Sequence, residues 1–266
     1  MAFKRIRIPA EPLQGEGMTS AMVGIGMNFA ARATPGANIE DTVLAASVAG
    51  MEQDDFRVLS MLVTWLETHS VWINVDRLTH LVLEHPSLRV RLFWSGVAVW
   101  LAKDRRFGRM AKSYTGPRLD LLATGTDFHI RRSGEDLRFK EGPLRIPAGI
   151  LRDRPADVLT PVELARVHMT YRRRILLGPT YRADMWAELD ANPTLSAAEL
   201  ARRTYGSFAT AWHVRQDWDV LAGTAARSGI GPCPPVRGTP AAAGQTLHRH
   251  TGKSSTPSPG CTGSSS

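Results

Sequence analysis

From Phe56 to Leu66 the chain repeats apolar side chains at a spacing that an α-helix gathers onto one face. Phe56, Leu59, Leu62, Val63 and Leu66 form the stripe, and Val58, Met61 and Trp65 widen it. Asp54 or Asp55 stands where an N-cap is needed. A stripe this broad must be covered, and the flanking sequence offers further helices to cover it. Ile39, Val43, Leu44 and Val48 predict a helix that ends at Gly50. Asn74 can cap a helix carrying Leu78, Leu81 and Val82, stopped by Pro86. Ser87 opens a segment from Leu88 to Leu101 that is apolar almost all round, which predicts a central helix. Trp65, Trp72, Trp94 and Trp100 fit a packed core better than a ligand box.

The fold class expected is therefore mainly α with a small β-hairpin segment. Residues 1–37, with Pro9, Pro12, Gly15, Gly17, Pro35 and Gly36, read as irregular. Gly24-Ile25-Gly26 lacks the third glycine and preceding strand of a dinucleotide loop. Residues 38–115 form the helical bundle. The run from Lys103 to Lys112 is a solvated helix end or, on a sharper reading, a phosphate-contacting patch. Residues 116–155 change character. Arg118–Leu122 and Phe128–Arg131 look strand-like, Ser133–Asp136 signals a turn and Leu137–Phe139 alternates after it, which predicts a hairpin. Leu144–Pro147 could add an edge strand.

Residues 156–221 carry the strongest functional signal. Thr160-Pro161-Val162-Glu163 is a capping box with proline at the first helical position, and the helix it opens runs to Leu177. A further helix with Met185, Trp186 and Leu189 stops at Asn192-Pro193. Ser196 with Glu199 predicts a second capping box, followed by Leu200 and Ala201. Tyr205-Gly206-Ser207 predicts a turn in which Gly206 takes positive φ and Ser207 caps a third helix ending near Asp219. Leu195 to Thr204 resembles the second helix of bacterial helix-turn-helix and winged-helix regulators. The resemblance covers about forty to fifty residues, and the wing is missing.

It implies that the third helix enters a major groove and that the partner is duplex DNA. Ala211, Val214 and Trp218 would then face the core. Ser207, Thr210, His213 and Gln216 would meet base edges. Arg172, Arg173, Arg174, Arg202, Arg203 and Arg215 would meet phosphates, which position without specifying. Three consecutive arginines point in three directions, so at most two of Arg172–Arg174 share a surface. The implied role is transcriptional regulation, with an antitoxin-like regulator as one setting that rests on fold analogy alone. The competing role is a non-enzymatic protein-interaction module, with a partner protein meeting the N-terminal helices. A dimer is compatible with either.

Composition bounds these readings. The formal charge is +8, but residues 222–266 hold four basic groups and no acid, so the other 221 residues carry 29 basic against 25 acidic groups. The case for nucleic acid must therefore come from local clusters. That terminal stretch, rich in Gly, Pro, Ser, Thr and Ala, is expected to be disordered. The loss of acids, of pattern and of the wing at one point is what a change of reading frame near residue 222 would produce. Both cysteines, Cys233 and Cys261, fall in this stretch, which leaves the body without a disulfide framework and fits a reducing cytoplasm. No apolar run reaches membrane-spanning length, so no membrane partner is expected.

No catalytic residue, cofactor or metal is expected. Histidines are scattered, and neither H-E-x-x-H nor G-x-S-x-G occurs. One enzymatic alternative uses the same residues as the DNA reading. Gly206-Ser207 followed by Asp217 and Asp219 resembles the glycine-serine and paired-aspartate signature of minimal nucleotidyltransferases. That reading needs both carboxylates on one face of a strand, and a third acid after Asp219 that the chain lacks.

Overall fold

The computed structural model describes residue 9 and residues 11–227. Among these, twelve α-helices and a single two-stranded sheet account for the regular structure, in keeping with a mainly α chain. Helices α2 (Ile39–Glu52), α3 (Phe56–His69), α4 (Val75–Glu84) and α5 (Leu88–Trp100) form the heart of the fold. Each starts where a polar side chain accepts first-turn N–H groups: Asn38, Asp55, Asn74 and Ser87 respectively. Asp54 takes the positive φ that lets Asp55 cap. Trp65 and Trp94 lie fully inside, and each indole N–H finds an acceptor, Ile25 O at 2.8 Å and Ser47 Oγ at 2.9 Å. Trp72 and Trp100 pack at the edge of the same core.

The first thirty-seven residues are less irregular than expected. Helix α1 (Gly15–Gly24) buries Ala21 and Met22 against α2. Its small residues give a weak apolar period, which is why the pattern hides it.

The hairpin expected over residues 118–139 is not there. Phe128–Arg131 instead belongs to α7 (Thr126–Ser133), bounded by Gly125 and Gly134, both at positive φ. Arg131 and Arg132 close its last turn, where cations suit the helix dipole. With a helix between them, β1 (Leu119–Asp120) and β2 (Leu144–Arg145) pair parallel, Leu119 opposite Leu144. Arg145 ties the crossover down, reaching Asp120 at 3.0 Å and Asp127 at 2.5 Å. A four-residue alternation is too short to separate a strand from one helical turn. Phe139, Leu144, Ile146 and Leu151 enter the same apolar cluster as α2–α5.

The helix expected from Thr160 to Leu177 is two helices, α8 (Pro161–Val167) and α9 (Met169–Leu177). His168 sits between them in an extended conformation and caps the second, its Nδ1 accepting the Tyr171 N–H at 3.1 Å. The reciprocal capping box at Thr160 and Glu163 forms as the sequence indicates. Helices α10 (Tyr181–Ala191), α11 (Ala197–Arg203) and α12 (Phe208–Arg227) follow. Helix α12 continues six residues beyond the expected boundary at 221; the rest of the stretch expected to be disordered lies outside the described residues. Met1–Thr224 cluster as one compact unit and Ala225–Ser266 as another, of which the described part is the last turn of α12.

Two apolar clusters fill the first unit. The larger joins α1–α5, the 121–151 region, Leu164 and Tyr171; the smaller joins α10, α11 and α12. Between them lies a buried charge network. Arg174 on α9 is 1% exposed, and all five of its N–H groups are used. Its Nε and Nη2 bind Asp184 at 2.7 and 2.9 Å, its Nη1 and Nη2 bind Glu40 at 2.6 and 2.9 Å, and Nη1 also reaches Trp72 O at 3.1 Å. Arg77 on α4 extends the network to Asp41 at 2.5 Å and Asn38 at 2.9 Å, with its guanidinium 3.9 Å from the Tyr205 ring centre. Burial alone would push Glu40 up, yet the Arg174 and Arg77 guanidiniums together hold it below the usual carboxylate range. At Asp41 and Asp184 burial outweighs the arginines and raises both.

Tyr171 is fixed at both ends by histidines. His69 Nε2 faces Leu159 O at 2.9 Å, so it must carry the proton and donate. Its Nδ1 then accepts the Tyr171 hydroxyl proton at 2.7 Å. His168 has the same tautomer for the same reason, its Nε2–H donating to Ala37 O at 2.9 Å. Both rings are thus neutral and saturated, and burial drives the pKa of His69 down to about 4 and lowers that of His168.

Two outcomes follow for stability. Arg174→Met removes the only hydrogen-bonding guanidinium of Asp184 and leaves Glu40 with the more distant Arg77 at 3.9 Å, and should cost about 3–5 kcal/mol in urea unfolding; a loss under 1 kcal/mol would show that the network contributes little. A depressed histidine pKa contributes stability that is complete above about pH 6.5 and lost as pH falls toward 4. For His69 the contribution is at most about 3 kcal/mol. The raised Asp41 and Asp184 work with the opposite sign, favouring the acid side. His69→Gln retains a donor for Leu159 and an acceptor for Tyr171, so its urea midpoint should fall less than the native protein's between pH 6.5 and 4. Equal falls would place the titration elsewhere.

Candidate nucleic-acid interface

Helices α10, α11 and α12 pack round Met185, Leu189, Leu200, Ala211 and Val214, all fully buried. Trp218 lies against Trp186 with ring centres 5.3 Å apart. Ala211 and Val214 thus face inward with the half-buried Trp218 packed beside them, the side of α12 that the resemblance assigns to the core. The turn before α12 is built differently from expectation. The positive φ falls on Tyr205, at 58°, and Gly206 needs no unusual backbone. Glycine there spares space, because a Cβ at 206 would displace the buried Met185 methyl. Tyr205 is held in its strained conformation by Arg77 beneath its ring. Ser196 caps α11 through the Glu199 N–H, but Glu199 turns outward to Arg203 at 3.0 Å and does not close the box.

The four base-edge residues do not behave alike. Ser207 and Thr210 are half-buried and bonded to each other, Oγ to Oγ1 at 2.8 Å, and Ser207 also accepts the Thr210 N–H at 3.1 Å. They form the cap of α12. His213 and Gln216 are exposed. At 100° per residue, Ala209, His213 and Gln216 fall within an arc of about 60° opposite the buried face. Trp212 borders that arc, 45% exposed, its ring edge-on to His213 with centres 5.0 Å apart. Trp212 carries no motif that marks it in the sequence; the register of Ala211, Val214 and Trp218 places it on the outer side of α12.

The arginines expected to meet phosphate separate into three kinds. Arg174 is a correction, since it is enclosed in the charge network and cannot reach a ligand. Arg172 is exposed, and no carboxylate lies within ion-pair distance of it among the described residues. The other four are engaged with carboxylates. Arg173 grips Asp190 at 2.5 and 2.6 Å. Arg203 lies between Glu188 at 3.6 Å and Glu199. Arg202, 62% exposed, is 3.6 Å from Glu199. Arg215 pairs with Asp219 at 3.0 Å and donates to Pro193 O and Leu195 O, which holds the α10–α11 turn onto α12. Arg182, beside them, is paired with Asp217 at 2.7 Å. From Pro161 to Leu221 eight arginines meet seven acids, so this segment carries a formal net charge of only +1.

Asp217 and Asp219, the pair that resembles a nucleotidyltransferase signature, lie on a helix, about 200° apart. They serve Arg182 and Arg215 on opposite flanks and cannot share one cation. No group of three or more potential metal ligands occurs among the described residues. No helix among those residues is long and apolar enough to cross a membrane.

No protein-family model, no curated protein and no solved structure matches the chain. The site is defined by the packing geometry of α10, α11 and α12.

Gly206→Ala tests that geometry. Met185 is fully buried, so its methyl has little room to retreat. The substitution should destabilise the α10–α12 cluster by about 1–3 kcal/mol, read as faster amide exchange confined to those helices. Exchange unchanged from the native protein would mean that the turn has slack.

Proposed function

We propose that α10, α11 and α12 act as a helix-turn-helix that lays the outer face of α12 on duplex DNA, in the service of transcriptional regulation. The observation that carries this reading is the sorting of α12. Ala211, Val214 and Trp218 lock it to α10 and α11, while His213 and Gln216 stand exposed on the opposite arc. A helix so held is rigid enough to enter a groove, and both side chains can hydrogen-bond base edges. Arg172 and the surface-paired Arg202 and Arg203 are the groups available to phosphate. Surface ion pairs are worth about 0–1 kcal/mol, so phosphates can displace their carboxylates.

Electrostatics make this a weakly charged contact. Three phosphate contacts give a slope of about −3 for log K against log salt. On a random-sequence duplex pool at low salt, fluorescence anisotropy should show binding with that shallow slope. Arg172→Ala with Arg202→Ala should bring the slope nearer −1, and His213→Ala with Gln216→Ala should erase sequence enrichment while leaving the slope alone. Absence of duplex binding at low salt rules the reading out.

A second reading is favoured by Trp212. An exposed tryptophan over a near-neutral, ion-paired surface is the composition of a protein contact. In that case Trp212→Ala, and not His213→Ala, removes the interaction, and salt has little effect on it.

A further inference from the structure

Helices α4 and α10 begin on the walls of one cleft of about 350 Å³, which α6 (Gly108–Ala111) and the turn before it close from a third side. We infer that this cleft binds a phosphate-class anion, through the side chains of Asn74 and Arg109 and the first-turn amides of α4. The inference does not rest on the DNA reading of α12.

Three observations carry it. Asn74 lines the cleft and is 2% exposed. Its Oδ1 is taken by the Arg77 N–H at 3.2 Å, which fixes the orientation of the amide and leaves Nδ2 as the free end. That Nδ2 has no acceptor, although buried polar groups nearly always have one. The α4 amides of Val75 and Asp76, also on the lining, precede the first intrahelical acceptor, and the helix they open is ten residues long. Arg109 on α6 lines the third side, is exposed, and has no carboxylate within ion-pair distance among the described residues.

Arg106 positions this wall and is not a ligand. It is neutralised by Asp104 and donates to Val71 O and Ile73 O, which clamps the backbone just ahead of Asn74. Asp76 opposes an anion. Its carboxylate lies on the lining, accepts the Tyr181 hydroxyl at 3.2 Å and stands 3.8 Å from His80 Nδ1. The volume is at the small end of ligand sites, which suits a single phosphate group with a short attachment. The group could arrive on a small phosphorylated molecule or on a nucleic-acid backbone.

Inorganic phosphate titrated into the full chain at low ionic strength, read by ³¹P line broadening with chloride as the reference anion, tests the site. Binding should be saturable. Arg109→Glu, an exposed change that leaves thermal stability unaltered, should weaken it at least tenfold. Asp76→Asn should tighten it severalfold, an opposite effect that no loss of folding can imitate. Asn74→Ser keeps a capping oxygen for α4 and should weaken binding. Phosphate binding no tighter than chloride, or the same in Arg109→Glu, overturns the site. Duplex DNA then identifies the source. Displacement of phosphate by DNA assigns the site to the backbone, and lack of displacement assigns it to a free phosphorylated molecule; either supports the site. Failure of the α12 reading appears separately, as DNA binding indifferent to His213 and Gln216.

Discussion

The Arg174 guanidinium holds three parts of the chain in register. Glu40 belongs to the first turn of α2, Asp184 to the first turn of α10, and Arg174 to the last turn of α9. No single helix brings these groups together; they meet only when the larger and smaller apolar clusters are both formed. Apolar burial drives each cluster to form and says little about how one is oriented against the other. Directional bonds supply that orientation, and five of them converge on one planar group. The cost of removing charges from water is offset only with this geometry complete, so partly docked arrangements are heavily penalised.

Tyr171 and the two histidines do similar work with neutral groups. A proton on either ring would turn an acceptor nitrogen into a donor, opposite a hydroxyl or an amide that itself donates. The break at His168 makes this possible. An unbroken helix through 168 would turn the imidazole away from the Tyr171 amide and leave Ala37 O without its donor. The interruption between α8 and α9 is thus part of the core.

Much of the helical architecture was legible in the sequence, because caps and apolar periods are local. Asn74, Ser87, Thr160 and Ser196 each mark the helix start that the structure shows. What local pattern missed depends on distant partners. Phe128–Arg131 has the alternation of a strand over too few residues, and the pairing of Leu119 with Leu144 decided for a helix between them. His168 is held by Ala37, from the other side of the fold. The candidate interface was legible in its apolar register and not in its charge. Composition shows a row of arginines, but whether an arginine faces solvent, a carboxylate or the interior is set by residues far along the chain. Glu40, which captures Arg174, lies 134 positions away. Of the cleft between α4 and α10 one wall left a sequence signal, the basic run from Lys103 to Lys112 that carries Arg109; the other walls come from separated segments that no local pattern connects.

Tyr205 shows how little of the C-terminal portion is portable. Its left-handed backbone opens the turn into α12, yet its ring rests on Arg77, a residue of the N-terminal half. Grafted onto another scaffold, residues 181–223 would keep their apolar seam and lose the support that shapes the corner before α12. Relatives that retain this corner should therefore vary in step at positions 77 and 205, and that paired variation is the trace by which distant members of the lineage could be picked out.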